Sequence, residues 1–274
     1  MIRAAYKTFI TLLLTMPLLA ACSDKETPNV LPRLSEVEHY YYDITHTYAN
    51  AERKTLIASD TVLIVTTERW KWDGDQLASI GHYKDNEWQY DITFEQADYG
   101  VRRTDSREPN AETRYIYNGG SLTNMAYYVD GENTWLCDIH LIDSGTMIAT
   151  VKNFSNGTET ERTEYLMHFG GGNLLDLSYS VNGSNTYKSY RYLSAANPYR
   201  LTDRSITPSN LSNNLAIEET YTYRDEYDTR KEEITDYNYT LDGNNPRTLD
   251  YQKESFVGKY HNIYKHHYEY RYTE

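Results

Sequence analysis

Four stretches of the chain, "WKWDGDQLASI" (70–80), "YIYNGGSLTNM" (115–125), "MHFGGGNLLDL" (167–177) and "YTLDGNNPRTL" (239–249), align without gaps. Each has apolar or aromatic residues at its first and third positions, a glycine at its fifth (Gly74, Gly119, Gly171, Gly243) and an apolar residue at its eleventh. Period-two alternation on both sides of a glycine describes strand, tight turn, strand. Successive strand side chains point to opposite faces, and glycine accepts the positive φ that a short hairpin requires. Asp73-Gly74, Asn118-Gly119 and Asp242-Gly243 are dipeptides suited to such turns. A weaker fifth stretch, "YTYRDEYDTRKEEI" (221–234), has no glycine.

Beyond the first three of these hairpins, a second turn and an aromatic restart follow in "YKDNEWQYDITF" (83–94), "YVDGENTWLCDIHL" (128–141) and "SVNGSNTYKSYRYL" (180–193). Short strands are then expected at 99–105, 146–152 and 199–205, giving three four-stranded units ahead of a degenerate C-terminal one. Trp88, Trp135 and Tyr187 fall at corresponding places in the three second hairpins. They are expected to stack as a ladder within the sheet. If they line a cavity instead, such rings suit a sugar or another small amphipathic ligand.

The chain holds 29 tyrosines against 5 phenylalanines. Tyrosine suits a half-buried pleated surface, because its ring packs while its hydroxyl finds water or a partner. At the C-terminus, Tyr264, His266, Tyr268, Tyr270 and Tyr272 share one face of a strand, and Lys265, His267, Glu269 and Arg271 share the other. A long meander with free edges invites aggregation, and closure removes the edges. The expected fold is therefore all-β, an antiparallel meander closing into a β-barrel, with an open curled or superhelical single sheet as the alternative. One domain suffices for residues 34–274.

Residues 1–21 place Arg3 and Lys7 ahead of an apolar run too short to span a bilayer. The run ends in Leu19-Ala20-Ala21 before Cys22, which resembles the lipobox of bacterial lipoproteins. That resemblance implies cleavage before Cys22, lipid on its sulfur and an acylated amino terminus; more than one acyl chain gives a stable anchor. Residues 22–33 then form a polar, proline-containing tether. Ser23 beside Cys22 resembles the pattern that permits transfer to the outer membrane, leaving cell-surface and periplasmic placements open. With Cys22 lipidated, Cys137 has no disulfide partner. The tyrosine-aspartate-glycine hairpins together with this leader resemble a Bacteroidota lipoprotein family of unknown function with a porin-like β fold. The resemblance implies a barrel and supplies no catalytic residues.

Function is bounded mainly by exclusion. The net charge of −13 argues against nucleic acid as a partner. A membrane-spanning pore needs an apolar outer wall: if the tyrosines of 264–272 face lipid, the charges opposite them line a lumen, and if they face inward the exterior is charged. His261, His266, His267 and Glu269 do not make a metal site, since adjacent strand histidines diverge. "HFGGG" (168–172) occurs without a Gly-x-Ser-x-Gly elbow, so no nucleophile is assigned. No catalytic residue, metal or cofactor is expected. What remains is a non-enzymatic lipoprotein that touches the membrane through Cys22 and binds a glycan, small ligand or protein partner. The alternatives are a structural envelope component, a pore or an unrecognised hydrolase.

Overall fold

A computed structural model describes residues 33–273, apart from 120, 182–183, 201, 204 and 225–229. The leader, Cys22 and the tether lie outside the described residues. Seventeen strands follow in order: β1 (Leu34–Tyr48), β2 (Leu56–Asp73), β3 (Gln76–Lys84), β4 (Glu87–Ala97), β5 (Gly100–Asp105), β6 (Ala111–Asn118), β7 (Ser121–Val129), β8 (Glu132–Leu141), β9 (Thr146–Ser155), β10 (Thr158–Gly170), β11 (Asn173–Val181) and β12 (Ser184–Ala196). A single helical turn, α1 (Pro208–Leu211), precedes β13 (Asn214–Arg224), β14 (Arg230–Asp236), β15 (Asn238–Asp242), β16 (Asn245–Val257) and β17 (Tyr260–Tyr272).

Sequence neighbours pair antiparallel through most of the chain, and β1 pairs on one edge with β2 and on the other with β17, from Leu34↔Tyr272 to Thr47↔Tyr260. The meander thus comes round on itself as a nearly closed barrel. Its seam lies where β14 runs into β15. The chain pairs with β13 through Asp236, Tyr237 N–H donates to Ile217 O at 2.8 Å, and from Asn238 onward the chain pairs with β16 instead.

Because every strand reverses, the barrel has two distinct rims. The chain enters at the first rim with Leu34, and the connections that carry Gly74, Gly119, Gly171 and Gly243 all lie there. At Gly74 the backbone φ is +54°, and Asp73 pairs with Gln76, so the two-residue turn begins at the glycine and the aspartate closes the strand. At the second rim, by contrast, Asp130-Gly131 fills the turn itself, with φ of +52° and +83°.

The inward faces build the core. Tyr115, Met125, Cys137, Ala149, Met167, Leu174 and Leu177 form one buried cluster, and Leu34, Val37, Trp70, Ile80, Leu249 and Tyr270 form a second. Both sit toward the first rim. On β17, Tyr264, His266, Tyr268 and Tyr270 share the parity of the buried Tyr270 and face the lumen, which puts Lys265, His267, Glu269 and Arg271 outside.

The described residues of 199–205, expected as a strand, are not one. The connection between β12 and β13 folds into the barrel as a plug across the first-rim half. Tyr199 packs edge-on to Trp70 of β2 at 5.5 Å and to Tyr270 of β17 at 6.4 Å, while Arg103 Nε on β5 donates to Thr202 O at 3.0 Å and Tyr115 Oη on β6 donates to Asp203 O at 2.6 Å. The plug is held by its own polar core. Asn197 Nδ2 donates to the carbonyls of Ser209 and Ser212, each at 2.8 Å, and Asn210 Nδ2 donates to Ser205 O at 3.0 Å. Alternation cannot signal such a segment, because it contributes to no face of the sheet.

Candidate functional site

The three second-hairpin aromatics do not form a ladder. On β4, Trp88 pairs with Tyr83 and Tyr90 with His82, so Gln89 is a bulged extra residue; Thr134 is the extra residue of β8, between Asn133 and Trp135. A bulge shifts the alternation that follows it. Tyr90 and Trp135 are therefore the matching lumen-facing positions, and Trp88 corresponds to Asn133. The hairpin of β11 and β12 pairs Tyr179 with Thr186 and Ser178 with Tyr187 with no bulge between, which leaves Tyr187 on the outer face. Trp88 and Tyr187 are 56 % and 43 % exposed, whereas Trp135 packs on the core.

The lumen instead gathers aromatic side chains against the plug. A cavity of about 420 Å³ lies between Asn197, Tyr199 and Pro208 of the plug and a wall made by Tyr237, Tyr239 and Tyr251 with Tyr268 and Tyr270. The rings support one another: Tyr251 is 5.2 Å from Tyr237, and Tyr268 stacks on His39 at 4.0 Å. Burial lifts the hydroxyls of Tyr199, Tyr237, Tyr239, Tyr268 and Tyr270 above the ordinary phenol range, so they stay neutral and act as hydrogen-bonding groups.

One carboxyl opens into this cavity. Glu68 alternates with Trp70 and Trp72 along the inward face of β2, and Trp70 Nε1 donates to its Oε2 at 3.2 Å. The accessible 29 % of its side chain faces the cavity, while protein surrounds the rest and burial raises its pKa to about 7. His82 Nδ1 on β3 is 3.9 Å away, and burial followed by the charge of Arg107 presses that imidazole down to about 4. Sequence reading passed over Glu68, although a carboxylate in register with Trp70 and Trp72 was its signal.

A second cavity, about 240 Å³, borders Thr207 and Pro208 of the plug and is lined by Trp135, Tyr165, Tyr179 and Tyr190. Here the charges are matched, Lys188 Nζ lying 2.9 Å from Glu219. A third cavity of about 480 Å³ meets the plug at Arg200, beside Tyr115 and Tyr117. Arg200 makes no hydrogen bond or ion pair with the described residues, and its Nε is buried.

The outer wall is charged on many of its strands. Arg271 reaches Glu38 at 2.8 Å and Glu36, Arg69 meets Glu36 at 3.2 Å, Lys152 meets Asp138 at 2.7 Å, and Arg191 meets Glu218 at 2.9 Å. His266 and His267 diverge, His266 facing the lumen beside His39 at 3.0 Å and His267 facing outward to Asp250 at 2.8 Å. Among the described residues no three His, Cys, Asp or Glu side chains are grouped to hold a metal ion. Cys137 is fully buried and its thiol is pushed up to about 12, so it is a packing residue and not a nucleophile.

No family model matches the chain. No curated protein matches it either. Among solved structures it is similar to a porin-like protein from Bacteroides uniformis, with a TM-score of 0.54 and 16 % identity over 88 % of this chain and 98 % of that one. A porin-like protein from Bacteroides vulgatus overlaps 88 % of this chain and 99 % of its own, at 11 % identity and a TM-score of 0.33. At such identity the first likeness concerns the fold alone, and it agrees with the nearly closed antiparallel barrel described above.

Proposed function

We propose that this barrel is carried at the outer membrane by lipid on Cys22, that it does not itself cross the bilayer, and that it holds a small amphipathic ligand in its lumen. The observation that carries the reading is the division of its two faces: tyrosine rings line a cavity inside, and ion pairs run along the wall outside. A barrel embedded in lipid needs a continuous apolar belt about 25 Å tall, and an outward Arg or Lys at mid-bilayer costs roughly 2–4 kcal/mol. Here the outward apolar residues fall in separate patches, Tyr42, Ile44, Leu63, Val65 and Ile263 on β1, β2 and β17 and Leu136, Ile148 and Leu166 on β8 to β10. Elsewhere Arg102, Glu112 and Arg114 or Asp138 and Lys152 occupy outward positions.

The geometry also favours capture over passage. The plug crosses the half of the lumen beside the rim at which the tether would join, so a ligand entering from the second rim stops at the tyrosine wall. Ring faces with interspersed Glu68, Asn197 and Asn214 suit a sugar or a similar molecule with one apolar face and polar edges.

Filling the lumen tests this. Ala216→Trp adds an indole to a residue lining the cavity while leaving the outer wall untouched. Titration of glycans and small amphiphiles by calorimetry should give binding to the wild-type barrel and none to the filled variant. Equal binding by both would place the ligand outside the lumen and overturn the reading. For the anchor, the full-length protein should sediment with membranes and Cys22→Ala should not, whereas resistance of the Cys22→Ala barrel to carbonate extraction would show that it spans the bilayer.

A further inference from the structure

The cavity beneath the plug has an electrostatic asymmetry beyond its general suitability for a small molecule. Glu68 is its one carboxylate without a cation: Glu219, which also borders the cavity, is paired with Lys188. Apart from Trp70 on its own strand, the titratable groups acting on Glu68 are His82 on β3, Tyr90 on β4, Tyr199 on the plug, and Tyr268 and Tyr270 on β17. The tyrosines are neutral and His82 is held neutral by burial and by the charge of Arg107. No ion pair with a lysine or arginine reaches Glu68 among the described residues. A carboxylate in such a place is costly unless something supplies the missing charge.

The surrounding rings complete the chemistry. Aromatic faces attract cations through the ring quadrupole, with interactions of this kind giving roughly 0.5–2 kcal/mol each as the site is desolvated. A cage of tyrosines closed by one acid is the arrangement that recognises an organic ammonium group in which positive charge is spread over apolar substituents. We propose that the lumenal cavity bounded by Tyr199, Tyr237, Tyr251, Tyr268 and Glu68 binds a ligand through a cationic ammonium head group. This rests on the lumen being a binding site, as proposed above, and names the chemical class that the site selects.

A consequence follows for protons. Burial raises the Glu68 carboxyl to about 7, so near neutral pH part of the population carries its proton. An arriving cation favours the ionised carboxylate, and the proton leaves to buffer. Binding is therefore coupled to proton release near neutral pH, and the release fades as pH rises and the carboxyl is already ionised.

The test uses benzyltrimethylammonium and its uncharged isostere neopentylbenzene, titrated into the anchor-free barrel by calorimetry in phosphate and in HEPES. The expected result is cation affinity at least tenfold above that of the isostere, with the buffer-dependent enthalpy reporting proton release. Glu68→Gln, which keeps shape and removes charge, should abolish both the preference and the proton release, and Tyr251→Leu should weaken the cation without changing proton release. Circular dichroism checks that each variant is folded. Equal binding of cation and isostere to the wild type would overturn the ammonium assignment while leaving the lumen as a binding site. Binding of the cation without any difference in Glu68→Gln also overturns it. If neither compound binds and the glycan and amphiphile panel is silent too, both the assignment and the lumenal reading fail.

Discussion

Asn197 is the residue on which the plug turns, and replacing it with alanine separates plug stability from barrel stability. Its Nδ2 donates to Ser209 O and Ser212 O at 2.8 Å and approaches Pro208 O at 3.4 Å, while its Oδ1 accepts the Tyr199 N–H at 3.0 Å. Pro208 O keeps a partner in Asn197→Ala, because Ser212 N–H donates to it at 2.9 Å. Three groups are left orphaned: the carbonyls of Ser209 and Ser212 and the amide of Tyr199. At about 1 kcal/mol for each lost bond, the plug loses roughly 3 kcal/mol relative to its undocked form, which is on the order of a hundredfold in the opening equilibrium. The barrel ladders do not pass through these groups, so the loss is local. Native-state hydrogen exchange followed by mass spectrometry should show the peptides covering 197–213 exchanging on the order of a hundredfold faster, with those of β7 to β9 unchanged. Uniform acceleration across the barrel would mean that plug and wall unfold as one unit. No acceleration would mean that the Asn197 network contributes nothing, and the hydrogen-bond accounting would be wrong.

Four further outcomes are expected. Gly100 has φ of +137°, and a Cβ there would lie 2.3 Å from Tyr115 O, so Gly100→Ala should cost several kcal/mol in urea unfolding, against about 1 kcal/mol for Gly74→Ala, where φ is +54° and the space is open. Glu68 has its folded pKa raised to about 7 from an unfolded 4.5, so its stabilising contribution is present below about pH 4.5 and is lost as pH rises through 7. Glu68→Gln should therefore match the wild-type melting temperature near pH 4.5 and exceed it increasingly up to pH 8. His39 and His82 act with the opposite sign, since both are depressed to about 4 from 6.5: the stability they support is present above pH 6.5 and is lost as pH falls through 4, so the wild type should lose melting temperature relative to a His39→Phe/His82→Phe double variant as pH falls from 7 to 4. Arg200→Met, which keeps the stem and removes a guanidinium without a described partner, should leave the melting temperature equal or higher by differential scanning calorimetry.

What could be read from the sequence follows from what period-two alternation encodes. It reports a wall: which residues of β17 share a face, where β2 turns into β3, and that strands are joined by short antiparallel reversals. It fails where a residue is inserted without changing the composition. Gln89 and Thr134 look like any other strand residues, yet each shifts the alternation that follows it, and comparing Trp88 with Trp135 across an uncounted bulge pairs an outer residue with an inner one. The missing bulge between Tyr179 and Tyr187 makes the same error in the third hairpin. Glu68 was legible in principle, because a carboxylate in phase with two tryptophans is the exception on that face.

The plug shows a different limit. Residues 197–213 carry two prolines, three asparagines and several short polar side chains, the composition of a surface loop. A loop on the surface leaves its backbone groups to water, whereas this one is drawn inside, so it must bring its own partners. Asn197, Asn210 and Ser212 are those partners, and their burial marks the difference between a loop that connects strands and one that closes a lumen. The tyrosines then acquire a second role. On a wall facing an empty barrel they would need only to pack, but Tyr199 carries the plug across to Trp70 and Tyr270, and the rings on either side of that contact become the cavity wall. The same aromatic surface that closes the barrel at the rim where Leu34 enters therefore shapes the site that faces away from it.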